Sequence, residues 1–257
     1  MNIDLSVVSH RQGALASLML QDVSGSPEIA TAQLTLNLPE PDTLVPQWPQ
    51  LRTRLNPQPL GFATNHNQAF ASCKQPFFCV ANPDLRLPIN PFPALLRGME
   101  DPQVGLIAPI VLNPAGALED SARHFPTPQG LIRKAFGKED GRYNLEPNLK
   151  GAPRPVDWVA GMFLLFRAEA FRDVGGFDAN FHLYYEDVDI CARMWRAGWK
   201  VIVSPQATVV HDAQRASRQN PQYMAWHAAS MGRYFFKHFG RLPLVPGQDE
   251  APTPPRN

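Results

Sequence analysis

Proline is the residue whose placement most constrains how this chain can fold. The 257 residues include 27 prolines, about twice the usual share of proteins. Because proline lacks the amide N–H and fixes one backbone dihedral, it interrupts helices and the interior of sheets. No proline occurs between Pro155 and Pro205, so residues 156–204 are predicted to hold the most regular structure. The excess argues against a helical bundle or a coiled coil.

Charge and composition narrow the class of protein. A hydrophobic share of 44% can form a substantial core, and the net charge of +1 gives no overall field that would attract nucleic acid. The start lacks a signal-peptide pattern and no apolar stretch reaches the length of a membrane span, so we expect a cytoplasmic protein. Its three cysteines, Cys73, Cys79 and Cys191, are expected to be reduced and mostly buried.

The spacing of apolar residues predicts alternating strands and helices in the first half of the chain. Strands are predicted over 3–9, 34–38, 77–81 and 104–108, with helices between the first two and over 91–99. This alternation is typical of an α/β protein with a mixed, mostly parallel central sheet flanked by helices. Residues 115–155 show no period and are predicted to be rich in loops.

The proline-free run and the residues after it predict a second set of elements. A strand is expected over 156–167, a short helix over 168–174, a helix over 186–197, strands over 199–203 and 207–211, and a last helix over 223–239. The third of these has apolar residues at helical spacing and Gly198 at its C-terminal cap. From Pro243 onward we expect a tail.

Polar residues follow several of the predicted strands. Ligands of open α/β sheets bind where parallel strands end, and Ser9, His10, Asn37 and the Asn82–Asp84 turn occupy such positions. By itself an Asn-Pro-Asp sequence is more typical of a turn than of a metal site.

A second candidate segment runs from Asn56 to Asn67. Gly61 permits close approach of the backbone, and Asn65 and Asn67 offer amide groups near the start of a helix, which suits diphosphate oxygens or sugar hydroxyls. The alternative is that Asn65 only caps this helix.

An acidic cluster opens the helix predicted over 186–197. Asp189 lies four residues before Arg193, which favours a structural ion pair. Glu186 and Asp187 lie at the edge between strand and helix, where a carboxylate can project into a cleft. His211 ends the last predicted strand; with a carboxylate it would suit Mn²⁺ or Mg²⁺, although a lone histidine there is more often structural.

Taken in order, these motifs resemble those of family 2 glycosyltransferases of the GT-A fold, particularly the bacterial rhamnosyltransferase-like branch. The resemblance extends from about residue 3 to 240 and is densest over 156–211. It rests on Asn82–Asp84, Val156–Gly161, Val174–Asp178, Tyr184–Asp189 and Val210–His211. It implies one Rossmann-like nucleotide-diphospho-sugar transferase domain over 1–242, with a donor-binding half over about 1–112 and an acceptor and catalytic half over 113–242. Residues 243–257 would be a flexible, proline-rich tail.

The resemblance also implies roles for individual residues. Asp187 would be the catalytic base, and Asp84 and His211 would bind a divalent cation, Mn²⁺ or Mg²⁺, at the donor diphosphate. Trp158, Gly161 and Glu186 would lie where the donor sugar and the acceptor meet. The remaining substrate-binding positions would be Ser9, His10, Asn37, Asn56, Gly61, Phe62, Asn65, Asn67 and Asn82.

The function implied is an inverting transfer from a nucleotide-diphosphate sugar, with dTDP-L-rhamnose as the suggested donor. The acceptor would be a glycan or a lipid-linked oligosaccharide in bacterial cell-surface polysaccharide synthesis. The alternative is a non-catalytic relative that binds nucleotide or glycan as an assembly partner, because Ser9–Arg11 and Asn37–Leu38 depart from the family's Ser-Tyr-Asn and Asp-Asn. A nucleotidyltransferase is disfavoured, since no glycine-rich loop follows the first strand.

The last predicted helix leaves two alternatives open. Tyr223, Trp226, Ser230 and Tyr234 fall near one stripe, followed by Lys237 and His238, and this stripe suits packing against the core. The aromatic and basic residues also suit contact with a lipid headgroup layer. The second interpretation would place the protein at the inner face of the plasma membrane.

Overall fold

One mixed sheet organises the part of the chain that the structure describes, residues 2–40, 47–137, 141–212 and 221–246 of a computed structural model. The strands are β1 (Ile3–Ser9), β2 (Ile29–Leu36), β3 (Leu51–Leu55), β4 (Phe77–Ala81), β5 (Leu85–Arg86), β6 (Val104–Leu112), β7 (Ala122–Arg123), β8 (Arg154–Pro155), β9 (Trp158–Val159), β10 (Phe163–Arg167) and β11 (Lys200–His211). Nine of them form the sheet, in the order β3-β2-β1-β4-β10-β6-β11-β5 with β8 beside β11, and β7 pairs with β9.

Strand direction brings many chain segments to one edge of this sheet. The pairings β1–β2, β2–β3, β1–β4 and β6–β11 are parallel, whereas β10 runs antiparallel between β4 and β6. The parallel strands therefore all end at the edge where β10 begins. We call this the carboxyl edge, and it is where ligands of open α/β sheets bind.

The described residues form seven helices, six of which contribute to the cores on the two faces of the sheet. They are α1 (Gly13–Val23), α2 (Phe62–Phe70), α3 (Phe92–Gly98), α4 (Pro128–Ala135), α5 (Ala168–Asp173), α6 (Glu186–Arg196) and α7 (Pro221–His238). The helices α1 and α3 pack on one face, whereas α2, α5, α6 and α7 contribute to the core on the other. Alternate residues of the central strands point to opposite faces of the sheet. In β4, for example, Phe77 packs in one core and Phe78 in the other. Both faces being buried explains why these strands read as continuous apolar runs.

Most predicted elements are confirmed. The first strand and helix, the strand over 77–81, the helix with its early prolines and the helix that begins at Glu186 all form near the expected positions. The cysteines are free thiols, and Cys79 and Cys191 are buried. No helix within the described residues is long and apolar enough to cross a membrane.

Three predicted strand boundaries were wrong. The second strand starts at Ile29, because pairing with both β1 and β3 carries it through Thr31 and Gln33. The strand expected over 156–167 is divided into β9 and β10 by the turn around Gly161. The strands expected over 199–203 and 207–211 are one strand, β11, whose register shifts between Ser204 and Thr208. Pro205 lies inside this irregularity and has no N–H to contribute to the ladder.

Val245 is only 6% exposed and packs in the core on the α6 face. We therefore expect the packed domain to extend a few residues past 242. The tail predicted over 243–257 lies mostly at 247–257, outside the described residues.

The stretch predicted to be loop also contains a helix. Thr127 caps α4 by accepting a hydrogen bond from the Gly130 N–H at 2.9 Å, and Pro128 occupies the first turn. A Thr-Pro pair is a recognisable start signal, but it precedes too few apolar residues to show a period.

Candidate functional site

The turn before α6 has an uncommon backbone. Tyr184 and Tyr185 both lie in the left-handed region, with φ of 69° and 66°, which non-glycine residues adopt only where surrounding contacts enforce it. Helix α7 supplies such contacts: the Ser230 hydroxyl donates to the Leu183 carbonyl at 2.8 Å, and the His227 ring packs 5.2 Å from that of Tyr184. The direction in which Glu186 and Asp187 leave this turn is therefore fixed by packing.

Asp187 is anchored to the carboxyl edge through the backbone. Its Oδ2 accepts a hydrogen bond from the Gly161 N–H at 2.9 Å, and its Oδ1 accepts one from the Val188 N–H at 2.8 Å. Gly161 lies in the turn just before β10, where an added Cβ would be 3.3 Å from the Phe62 ring. Burial raises the pKa of Asp187, while the two N–H groups oppose that rise by stabilising the carboxylate.

Glu186 has a different environment from its neighbour. It is 5% exposed, and its Oε2 has no hydrogen-bond partner among the described residues. Burial, followed by the charge of Asp187, raises the pKa of Glu186 well above its usual range. The pair therefore favours a protonated Glu186 beside an ionised Asp187, an acid and a base at adjacent positions.

Three predicted asparagines form one buried cluster at the ends of β2 and β3. Asn56 Nδ2 donates to Asn37 Oδ1 at 2.9 Å and to Asn65 Oδ1 at 2.7 Å. Asn37 also bonds both backbone groups of Leu60, and its Nδ2 lies 3.0 Å from Nδ1 of the exposed His10. We call Asn37, Asn56 and Asn65 the asparagine cluster. It fixes the loop that ends at Gly61.

Gly61 is the N-cap of α2, so the alternative that Asn65 only caps this helix does not hold. Asn65 lies inside the first turn, where its side chain is already used by the asparagine cluster. A Cβ at Gly61 would come 2.5 Å from the His182 carbonyl oxygen. This close approach joins the start of α2 to the turn that carries Glu186 and Asp187, and only glycine allows it.

Asp84 and His211 lie side by side although they are far apart in the sequence. Strand β5 pairs with the end of β11, and this register places Asp84 Oδ2 3.3 Å from His211 Nε2. Both side chains are largely buried, and Asp84 Oδ1 and His211 Nδ1 have no hydrogen-bond partner among the described residues. On the same turn, the Asn82 N–H donates to the Met162 carbonyl at 2.8 Å, next to Gly161.

The Asp84–His211 pair has the chemistry for a divalent cation. Within the described ranges no group of three or more histidine, cysteine or acidic side chains could hold a metal ion by itself. One carboxylate and one imidazole do suit Mn²⁺ or Mg²⁺ when water and phosphate oxygens complete the shell. The unpartnered Asp84 Oδ1 fits this arrangement.

Three side chains predicted to bind substrate make hydrogen bonds within the protein. The buried Ser9 hydroxyl donates to Glu40 Oε1 at 2.6 Å. The Asn67 amide uses both ends on the backbone of Phe177, at 2.7 and 2.9 Å, and so attaches α2 to the loop after α5. Trp158 donates its indole N–H to the His124 carbonyl at 2.9 Å. Ser9 and Asn67 thus each have a packing role, and their contact with substrate stays a prediction.

Some site residues were missed by the sequence analysis. Asp157 is buried and accepts hydrogen bonds from the Tyr143 hydroxyl at 2.6 Å and the Phe125 N–H at 2.7 Å, which fixes the backbone beside Trp158. His66 is buried beneath Phe62, and burial lowers its pKa to about 3, so this imidazole is neutral. His66 lies one helical turn after Phe62, and that spacing was the available signal.

Comparison with known proteins shows that this chain is similar to glycosyltransferases. The family model described as glycosyl transferase family group 2 matches residues 84–226. The N-acetylglucosaminyl-diphospho-decaprenol L-rhamnosyltransferase of Mycobacterium tuberculosis is 30% identical over 231 residues, which cover 79% of this chain and 74% of the relative. The rhamnosyltransferase WbbL of Escherichia coli K12 is 27% identical over 184 residues, 68% of this chain and 69% of the relative.

Solved structures show the same fold. A structure of GalNAc-T7 with UDP, GalNAc and Mn²⁺ superimposes with a TM-score of 0.64 at 16% identity, covering 86% of this chain and 45% of the other. The mannosyltransferase PcManGT of Pyrobaculum calidifontis, with GDP-Man and Mn²⁺, gives 0.59 at 16% identity, covering 93% of this chain and 63% of the other. This chain therefore spans less than two thirds of either solved chain, and at such identity the likeness concerns the fold alone.

Proposed function

Because the chain belongs to glycosyltransferase family 2 and has the GT-A fold, we propose that it transfers a sugar, with inversion, from a nucleotide-diphosphate donor to a glycan or lipid-linked acceptor. Rhamnose, from dTDP-L-rhamnose, is the sugar that we propose, since two relatives are named as rhamnosyltransferases. The product would belong to a bacterial cell-surface polysaccharide. The observation that carries this proposal is Asp187, held at the carboxyl edge by the Gly161 N–H.

Asp187 is the proposed catalytic base. In an inverting transfer the acceptor hydroxyl oxygen attacks the anomeric carbon, its proton passes to a carboxylate, and the bond to the diphosphate oxygen breaks. An ionised Asp187 can take that proton. The neighbouring Glu186, kept protonated by burial, limits the negative charge in the site and supplies a hydrogen-bond donor.

The proposed donor site lies between the asparagine cluster and the Asp84–His211 pair. Gly61 and Phe62 connect the cluster to Gly161 and so to Asp187, while Asn82 joins the Asp84 turn to Met162. This gives a donor-binding half over about 1–112 and an acceptor and catalytic half over 113–242. His10, exposed at the end of β1 and close to Asn37, is the proposed contact for the nucleotide base.

Asp84 and His211 are the proposed ligands of Mn²⁺ or Mg²⁺. When bound, such an ion would stabilise the negative charge that develops on the leaving diphosphate. Asp84 would contribute a carboxylate oxygen from the turn stiffened by Pro83, and His211 would contribute an imidazole nitrogen from the end of β11.

The first experiment is a thermal-shift panel of nucleotide sugars with and without Mn²⁺, because binding to the folded state alone raises the melting temperature. We expect stabilisation by a dTDP-sugar that depends on Mn²⁺. Asp187→Asn should then abolish transfer and leave this shift in place. Asp101→Asn is the matched control and should keep full activity, because this half-buried carboxylate pairs with Lys200 beside the opposite end of β6. Retained turnover in Asp187→Asn would remove the base assignment.

A peripheral membrane contact through α7 is also proposed. Phe236 and Phe239 are 91% and 79% exposed, Arg233 and Arg241 lie beside them, and α7 contains no acidic residue. The opposite face of α7 is buried through Ser230, Tyr234 and His238. Packing against the core and contact with lipid would therefore involve different sides of the same helix. Exposed aromatic rings flanked by cations suit an anionic lipid surface.

Liposome flotation tests this contact. Vesicles containing anionic phosphatidylglycerol should carry the protein into the lipid fraction, and the double change Phe236→Ser and Phe239→Ser should reduce the bound fraction several-fold. Leu149→Ser, a similarly exposed apolar residue away from α7, should bind as the unaltered protein does. Absence of protein from the lipid fraction in every case would refute the contact.

A further inference from the structure

Asp189 is a buried carboxylate that the proposed chemistry does not use. It is 0% exposed, and the predicted ion pair with Arg193 is confirmed, at 2.7 Å between Oδ2 and Nε. Two further cationic or polar partners come from α7: Lys237 Nζ and His238 Nε2 lie 2.7 and 2.8 Å from Oδ1. We call Asp189, Arg193, Lys237 and His238 the Asp189 cluster. Burial alone would raise the pKa of Asp189, but the hydrogen bond from His238 and the charges of Arg193 and Lys237 lower it to about 2.

The Asp189 cluster joins α7 to the first turn of α6. The Asp189 N–H donates to the carbonyl of the left-handed Tyr185 at 2.9 Å, so this residue closes the turn that carries Asp187. Because successive helical residues are turned by about 100°, Asp187 and Asp189 project to opposite sides of α6. Asp189 points toward α7, while Asp187 reaches Gly161.

Other contacts of α7 converge on the same segment. Ser230 bonds the Leu183 carbonyl, and the rings of His227 and Trp226 pack on Tyr185 and His182, at 5.4 and 4.7 Å. Lys237 also binds Asp178 Oδ2 at 2.6 Å. Helix α7 therefore contacts residues 178–189 along most of its length.

We propose that Asp189, His238 and Lys237 are positioning residues, which fix the first turn of α6 so that Asp187 stays against the Gly161 N–H. The physical reason is that a left-handed dipeptide followed by two buried carboxylates is not stable by its own local interactions. Contacts from another element must hold it, and α7 supplies them through Lys237 and His238, which both bind the buried Asp189. The catalytic part of this inference depends on the proposed function, whereas its structural part does not.

The test uses His238→Leu, which removes the hydrogen bond to Asp189, and His238→Gln, whose amide N–H can replace it. The control is Leu95→Ala, a buried change in α3 on the opposite face of the sheet. Hydrogen–deuterium exchange of the peptide spanning 182–188 is measured on the full chain without ligand. Hydrolysis of dTDP-L-rhamnose with Mn²⁺ is then measured for kcat and KM.

For His238→Leu we expect faster exchange of 182–188 and a kcat lower by at least about tenfold, with donor KM little changed. His238→Gln should restore most of both. Leu95→Ala should lower the melting temperature and leave the exchange of 182–188 as it was. Unchanged exchange in His238→Leu, or equal acceleration in the control, would overturn the inference. If exchange responds as expected but even the unaltered protein hydrolyses no donor, the positioning of the turn stands and the proposed function fails.

Discussion

At the residue scale, the site depends on two adjacent carboxylates with different surroundings. Asp187 receives two backbone N–H groups, whereas Glu186 Oε2 has no partner within the described part of the chain. Hydrogen bonds to the charged form lower a carboxyl pKa, and burial without them raises it. Two adjacent carboxylic acids thus serve as a base and as its protonated neighbour.

Glu186→Gln tests how the protonation state of Glu186 affects the stability of the fold. Burial and the charge of Asp187 raise the pKa of Glu186 in the folded protein. In the unfolded chain this carboxyl releases its proton near pH 4.3, whereas the folded protein still holds it. Stability is therefore lost as the pH rises from about 4.3 to the raised pKa of Glu186. Each unit by which the pKa is raised corresponds to ~1.4 kcal/mol. Glutamine imitates the protonated form, so the variant should be more stable than the unaltered protein near pH 7 and should lose this advantage toward pH 4.

Urea unfolding between pH 4 and 8 measures the difference. Glu169→Gln, an exposed acid of α5, is the control and should shift neither stability nor its pH profile. A variant whose unfolding free energy parallels that of the unaltered protein at every pH would contradict the assignment of a protonated Glu186.

Asp84→Ala should remove most of the Mn²⁺-dependent part of donor binding. Loss of one of two protein ligands leaves His211 as a single neutral donor, which binds Mn²⁺ weakly. Calorimetry with dTDP-L-rhamnose should show at least about tenfold weaker binding with Mn²⁺ and little change without it. Asp173→Ala is the control, because this exposed carboxylate binds Trp199 just before the start of β11, the opposite end of the strand from His211. Unchanged affinity in the presence of Mn²⁺ would exclude Asp84 as a ligand.

At the element scale, the start of α2 and the turn before α6 depend on each other. Gly61 approaches the His182 carbonyl, and Asn67 bonds the backbone of Phe177. The helix that carries part of the proposed donor pocket is thereby attached to the segment that carries the proposed base. The local periodicity of apolar residues cannot reveal such contacts, because the two segments are far apart in the sequence.

Gly61→Ala tests that dependence. The added Cβ would lie 2.5 Å from the His182 oxygen, so one of the two segments must shift; we expect a loss of about 1–3 kcal/mol in unfolding free energy. The control is Gly25→Ala, where no atom lies within 4 Å of the added Cβ. Thermal unfolding of both variants decides the matter, and equal melting temperatures would show that the approach is not tight.

At the scale of the whole molecule, helices cover both faces of one sheet. The last described residues pack on the face that carries α6. Val245 packs into the core that contains α6, whereas its neighbour Leu244 is 96% exposed. The folded unit therefore includes residues that composition assigns to a tail.

Val245→Ala should destabilise the protein by about 1–2 kcal/mol, through the loss of buried methyl groups. Leu244→Ala should change the unfolding free energy very little, because its side chain is already in water. Chemical denaturation of the two variants gives the comparison. Equal effects would show that Val245 is not part of the core and that the folded domain ends near residue 242.

The sequence by itself determined the alternation of strands and helices, and with it the α/β class. Buried strands such as β4 and β6 are continuous apolar runs, and α6 has a regular apolar spacing with a terminal glycine, so each carries its signal within a few residues. Most of the candidate carboxylates and asparagines were also recognisable, because they lie at the end of a predicted strand or near the start of a helix. These are local properties of the chain.

Only the tertiary structure decided how those residues are used. The pairing of β5 with β11 brings Asp84 to His211, and α7 contacts the turn that carries Asp187. It also showed that Ser9 and Asn67 bond to the protein, and that Asp189 has partners beyond Arg193. Such outcomes depend on contacts between segments distant in sequence, and the free energy of a buried polar group is set by the partners that those contacts supply.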